Sequence, residues 1–176
     1  MRRKKIHTDP GLTEEELAFN KQLENDLLLK VHKELVAMKG NPRSQIFVVH
    51  GFLELLINTI VKGKAKNGSK IAKDNRTYSY AVQLIILHEM GEISDVDFKV
   101  FEWFRKLRNK AAHEPLFSLT DEDVSKLPQE YRDIKKFELI CQDLMFRLWN
   151  QNVQLLVPVF MPTLLPRMKE NEYPHP

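Results

Sequence analysis

Only four residues, Gly91-Glu92-Ile93-Ser94, separate two stretches of helical hydrophobic spacing. So short a link makes the second helix fold back along the first, so this part of the chain must be an antiparallel helical hairpin. The punctuation on either side agrees. Gly91 suits the exit from one helix, and Ser94 with Asp97 makes a capping box for the next. The first arm runs from about Thr77 to Met90. The second runs from Asp95 to His113, with Val96, Val100, Phe104, Leu107 and Ala111 on one side. Pro115 ends it, because a proline pushes the residue before it out of the helical region.

Helical periodicity dominates elsewhere too, and no run alternates with period two. Thr13 with Glu16 is another capping box, opening a helix that carries Leu17, Leu28, Val31, Leu35 and Met38 and stops at Gly40. Asn41-Pro42 then reads as N-cap and first turn of a helix reaching about Gly63. Its apolar residues (Ile46, Val49, Leu53, Leu56 and Ile60 among them) spread beyond one stripe, as in a central helix. Residues 64–75 read as a basic loop with an Asn67-Gly68 turn. Thr120 caps a short helix closed by Pro128, and a long last helix is expected from about Gln129 to Leu156, stopped by Pro158. The expected fold is all-α, an antiparallel bundle of about five main helices. Residues 1–12 form a basic tail, 13–157 the helical domain, and 158–176 a proline-rich tail. That tail's apolar residues (Val159, Phe160, Met161, Leu164, Leu165) must pack on the body or on a partner.

A chain of 176 residues can bury one real core. Its single cysteine, Cys141, excludes an internal disulfide, fits a reducing compartment, and sits in an apolar helical pattern as a small hydrophobe. The basic start has no apolar segment behind it, so it does not read as a signal peptide. No window reaches the ~18 continuous apolar residues of a membrane span. A cytoplasmic protein without a membrane partner is expected. The net charge is +3, unevenly spread: residues 62–76 carry +5, residues 2–5 carry +4, and the rest sums to −6. Basic patches on an acidic body suit a polyanion, although lysine-rich loops are also common for solubility alone.

The chemistry gathers in Arg108-Asn109-Lys110-Ala111-Ala112-His113. Cationic residues near a helix C-terminus are what the macrodipole favours, so charge placement alone decides nothing. The residue types go further. Asn109 and His113 are four apart and share a face, while Arg108 lies about 140° round the axis from His113, within swing of a ligand at the helix end. Histidine moves protons near neutral pH, arginine grips phosphate oxygens, and asparagine can orient either. This set suits phosphodiester cleavage without a metal, and a second copy across a two-fold axis would add groups that one helix lacks.

The six residues resemble the R-N-x-x-x-H signature of the HEPN superfamily. SYAVQLIILHEMGEISDVDFKVFEWFRKLRNKAAHEPLF is similar to the late helical hairpin of the mannitol-operon repressor branch and its domain-of-unknown-function relatives, and QIFVVHGFLELLINTIV resembles their earlier central helix. The likeness covers about Ser44 to Thr120. It implies an all-α bundle, homodimeric, with the motif at the dimer cleft. It implies a metal-independent endoribonuclease needing no cofactor, with Arg108 and His113 catalytic, Asn109 positioning, and an acidic residue on a preceding helix, for which Glu54 is the candidate. RNA and a cognate antitoxin or regulatory protein are the implied partners. Lys62, Lys64, Lys66, Lys70, Lys73, Arg76 and Lys110 are the candidate phosphate-backbone contacts. The alternative is a non-enzymatic regulator or interaction module. A DNA-binding repressor ranks behind both, since no helix-turn-helix pattern is evident.

Other residues carry less. His88-Glu89 opens like a zinc-protease helix, but Glu92 stands where a second histidine is needed. His50 reads as a buried, hydrogen-bonded histidine that could line a cleft with Glu54. Trp103 and Trp149 read as core or interface.

Overall fold

The computed structural model describes residue 18 and residues 26–164, residue 126 excepted. The chain is all-α, with no strand among the described residues. Helix α1 (Leu27–Ala37) leads to α2 (Pro42–Lys64), the short α3 (Gly68–Lys73), α4 (Tyr80–Glu89), α5 (Asp95–His113), the short α6 (Asp121–Ser125), α7 (Phe137–Gln151) and α8 (Val153–Phe160).

Helix α2 is the centre. Asn41 accepts a hydrogen bond from the Ser44 N–H, and Pro42 occupies the first turn, where its missing N–H costs nothing. Ile46, Val49, Leu53, Leu56, Ile57 and Ile60 are wholly buried. They pack with Leu35 of α1, Leu84 and Leu87 of α4, Phe101 and Phe104 of α5, and Leu144 and Met145 of α7 in one core. By length and composition α2 is the one described helix able to cross a membrane, but most of its apolar residues are buried against neighbouring helices.

The hairpin forms as its punctuation requires. Gly91 takes φ 73°, a left-handed conformation that glycine adopts without strain, and Gly40 does the same (φ 79°) after α1. Ser94 accepts from the Asp97 N–H at 3.1 Å. The Asp97 carboxylate also accepts from Arg147 Nη1 (2.7 Å) and Gln151 Nε2 (3.2 Å) on α7, so the residue bound by the cap also clasps a third helix. His88 Nε2 meets Asp95 Oδ1 at 2.8 Å and its ring stacks on Phe98, closing the hairpin from the outside. Cys141 is wholly buried, Trp149 lies in the core, and Trp103 donates from Nε1 to the Asp123 carbonyl.

Four expectations need correction or restriction. The helix expected to run unbroken up to Gly40 is interrupted at Asp26, which is extended (φ −69°, ψ 140°) and precedes a new start without a side-chain capping bond; Thr13, Glu16 and Leu17 lie outside the described residues, as do residues 2–5 and Leu165. The basic loop contains a helix, α3, because Gly68 lets its backbone lie against α2: a Cβ there would sit 2.2 Å from the Val61 carbonyl oxygen. The long last helix is broken twice. Residues 129–136 form two 3₁₀ turns, held where Arg132 Nε donates to the Leu127 carbonyl, and Asn152 separates α7 from α8. Pro158 does not stop the chain's helix but lies inside α8. An interior proline costs about 3 kcal/mol. Burying Leu156, Val157 and Phe160, at about 1.5–3 kcal/mol each, outweighs that. Phe160 and Met161 thus join the core, and Thr163 Oγ1 donates to Asp26 Oδ1 at 3.0 Å.

Candidate functional site

Helix α5 ends at His113 because Glu114, before Pro115, is extended (φ −91°, ψ 113°). His113 is therefore the last helical residue. Its side chain is exposed, and no hydrogen bond or ion pair holds it among the described residues. Arg108 is half-buried. Its guanidinium lies 5.9 Å from the Phe47 ring centroid, and Nη1 donates to Asn109 Oδ1 at 3.3 Å. Arg43 Nη1 donates to the Pro115 carbonyl at 3.2 Å, tying the first turn of α2 to the chain just beyond His113. Helices α2 and α5 thus run in opposite directions, Arg43 beside Pro115 and Phe47 beside Arg108.

One turn further along α2 lies His50, which is buried, with its ring 4.7 Å from that of Tyr80. His50 was expected to be hydrogen-bonded; instead its Nε2, like the Tyr80 hydroxyl, is buried with no partner among the described residues. Burial, then the positive charges of Arg108 and Arg105, push the His50 pKa from 6.5 down to about 4. The ring is neutral at physiological pH. Burial, aided by Glu102, raises the Tyr80 phenol. Arg105 is held by Glu102 through two hydrogen bonds, at 2.8 and 3.0 Å.

Glu54 is exposed and lines a groove of about 310 Å³ with Tyr80, Ser79 and Gln83. It stands seven residues past Phe47, roughly 10 Å along the α2 axis. Its carboxylate therefore belongs to the Tyr80 side of the seam rather than to the contact that holds Arg108.

The basic residues are positioned by the far end of α2. Lys62, Lys64, Lys66, Lys70, Lys73 and Arg76 are all exposed, and Lys62, Lys66 and Lys70 surround a depression of about 330 Å³. Lys64 pairs with Glu92. At about 1.5 Å per residue, Lys62 lies roughly 22 Å along the axis from Phe47. Within one chain the basic patch and the Arg108–His113 motif therefore occupy opposite ends of α2. Lys110 is engaged differently: its ammonium contacts both Asp123 oxygens (2.8 and 3.0 Å) and lies 5.9 Å from the Phe117 ring centroid. The Asp123 hydrogen bond raises its pKa, so Lys110 anchors α6 and its charge is already matched.

The structure brings Arg43, Phe47 and His50 to the motif helix, and sequence reasoning named only the last, and not as a neighbour of Arg108. The signal was present: Arg43, Phe47, His50 and Glu54 recur at spacings of four, three and four, one face of a helix. Among the described residues, no three His, Cys, Asp or Glu side chains gather as metal ligands would. No family model matches the chain, and no curated protein or solved structure shows a significant match to it.

Proposed function

We propose that the chain is a metal-independent endoribonuclease of HEPN type, an antiparallel helical bundle acting as a cytoplasmic homodimer through Arg108, Asn109 and His113. The observation that carries this reading is the state of His113: exposed, unengaged, and fixed at a helix end beside an arginine braced by Phe47 and Asn109. An imidazole serving only to cap its own helix would be held against a carbonyl.

In the proposed reaction the ribose 2′-oxygen attacks the adjacent phosphorus as its proton passes to His113. The P–O5′ bond breaks, and the 5′-oxygen takes a proton, supplied by the second copy's imidazolium. The products are a 2′,3′-cyclic phosphate and a free 5′-hydroxyl. Arg108 grips the phosphate oxygens as charge builds on them, and Asn109 fixes the direction of that guanidinium. Lys62, Lys66 and Lys70 would hold the strand away from the cut. Support for a second copy comes from the exposed side of α2. Phe47 and Leu55 are 40% and 49% exposed, and Gly51 between them has open space above its backbone. The same apolar face also favours the second reading, a non-enzymatic module that recognises a regulatory protein or antitoxin partner.

The test is cleavage of a labelled single-stranded RNA pool in EDTA by wild type and by His113→Ala. Cleavage by the wild type alone, with cyclic phosphate ends, supports the nuclease. Silence from a folded dimer transfers the reading to the regulator, and equal cleavage by both proteins sinks the assignment of His113.

A further inference from the structure

A cavity of about 650 Å³ opens where the turn between α1 and α2 meets the segments after α5 and before α7. Lys39, Arg43 and Lys135 line it against a single carboxylate, Glu138. Among the described residues that carboxylate pairs with Lys39 alone, at 3.8 Å, and the lysine is mostly exposed, so the positive charge is little offset. Phe117 and Phe137 also line the space, the latter as part of the core. Gln45 is a further lining residue; it is 3% exposed, and its Nε2 is buried with no hydrogen-bond partner among the described residues.

Each feature narrows the occupant. Three cations against one carboxylate select an anion. The positive end of α2, a 23-residue helix beginning at Pro42, adds to that field, although Asn41 already takes the Ser44 and Gln45 N–H groups. The volume falls in the range of organic ligands, about 300–1,000 Å³, far beyond a bare phosphate. Aromatic walls suit a flat ring. A buried amide donor without an acceptor is costly, and the polar edge of such a ring is the partner it lacks.

We propose that this cavity binds an organic phosphate bearing a flat heterocycle, the phosphate on Lys39, Arg43 and Lys135 and the ring edge on Gln45. The ligand is either a free nucleotide or one nucleotide of an RNA strand. None of Arg108, Asn109 or His113 lines the cavity, so the proposal is independent of the nuclease reading.

Calorimetric titration of the full chain with adenosine monophosphate, adenosine and inorganic phosphate tests it, alongside binding of a six-nucleotide RNA. Adenosine monophosphate is expected to bind at least about tenfold more tightly than either half. Gln45→Met and Lys135→Glu should each weaken it about tenfold. Gln45→Met should not lower Tm, because the amide nitrogen it removes makes no hydrogen bond. Lys135 is exposed, so its variant keeps the test sound even if Gln45→Met folds poorly. If the mononucleotide does not bind but RNA affinity drops about tenfold in both variants, the strand is the source. If neither ligand responds to either substitution, the proposal is overturned. None of the cleavage residues lines the cavity, so mononucleotide affinity is read independently of cleavage, and an absence of cleavage counts against the nuclease alone.

Discussion

Replacing His50 with phenylalanine removes a histidine that the fold holds uncharged. Its ring is 7% exposed and 4.7 Å from Tyr80, and burial together with Arg108 and Arg105 lowers its pKa from 6.5 to about 4. The unfolded chain takes up a proton near 6.5, whereas the folded chain resists until about 4. Between those values the unfolded state binds more protons. The stability contribution is therefore complete above pH 6.5 and is lost as pH falls towards 4. At about 1.36 kcal/mol per pKa unit, moving from pH 7 to pH 5 would remove about 2 kcal/mol, and solvent screening reduces this to about 1 kcal/mol. Asp97 and Asp123 do not confuse the window, because their ordinary value is 3.8 and both lie lower still. Phenylalanine keeps an aromatic face against Tyr80 and has nothing to protonate. Urea unfolding at pH 7 and pH 5 should show wild type losing about 1 kcal/mol more than His50→Phe. The same loss in both proteins would refute the reasoning and leave His50 an ordinary, water-satisfied side chain.

Other outcomes follow from single contacts. Gly68→Ala drives a methyl towards the Val61 carbonyl oxygen, so α3 must shift off α2; thermal melting should show a loss of about 1–3 kcal/mol, and on the proposed RNA-binding reading affinity through Lys66 and Lys70 should fall with it. Arg147→Ala strips the buried Asp97 of its closest partner; with Arg147 itself partly solvated, a cost of about 2–3 kcal/mol is expected in urea titration. The hydrogen bonds of Asp97 outweigh the upward push of burial and lower its pKa, so its contribution holds above its ordinary 3.8 and disappears on acidification below that value. Lys110→Ala should loosen α6, seen as faster amide exchange in residues 121–125, with little change in the salt dependence of RNA binding. Lys66→Glu with Lys70→Glu should flatten that salt dependence and leave the melting temperature nearly unchanged, since both lysines are exposed.

Much of the fold was legible because local signals are sufficient where a residue acts on its own backbone. Asn41-Pro42, Gly91, Ser94 and Pro115 set helix ends through dihedral preference and capping, and no distant contact opposes them. The motif's place at the last turn of α5 followed from Pro115 alone. The same rules failed at Pro158, where burial of Phe160 and its neighbours outweighs a lost hydrogen bond, and at Gly68, where the reason for a glycine is the carbonyl of another helix. Lys110 could not be distinguished from a phosphate ligand by sequence, because its partner, Asp123, lies on a separate helix.

What the sequence alone determined is the all-α class, the hairpin of α4 and α5, and the presentation of His113 at a helix end, all consequences of periodicity and backbone chemistry within a few residues. Only the tertiary structure decided which charges are available. It put Arg108 against Phe47, left Nε2 of His50 and of Gln45 buried without a hydrogen-bond partner among the described residues, consumed Lys110 and Lys64 in ion pairs, and set Lys62, Lys66 and Lys70 at the far end of α2. Availability depends on burial and on partners distant in the chain, and neither is written in the order of the residues.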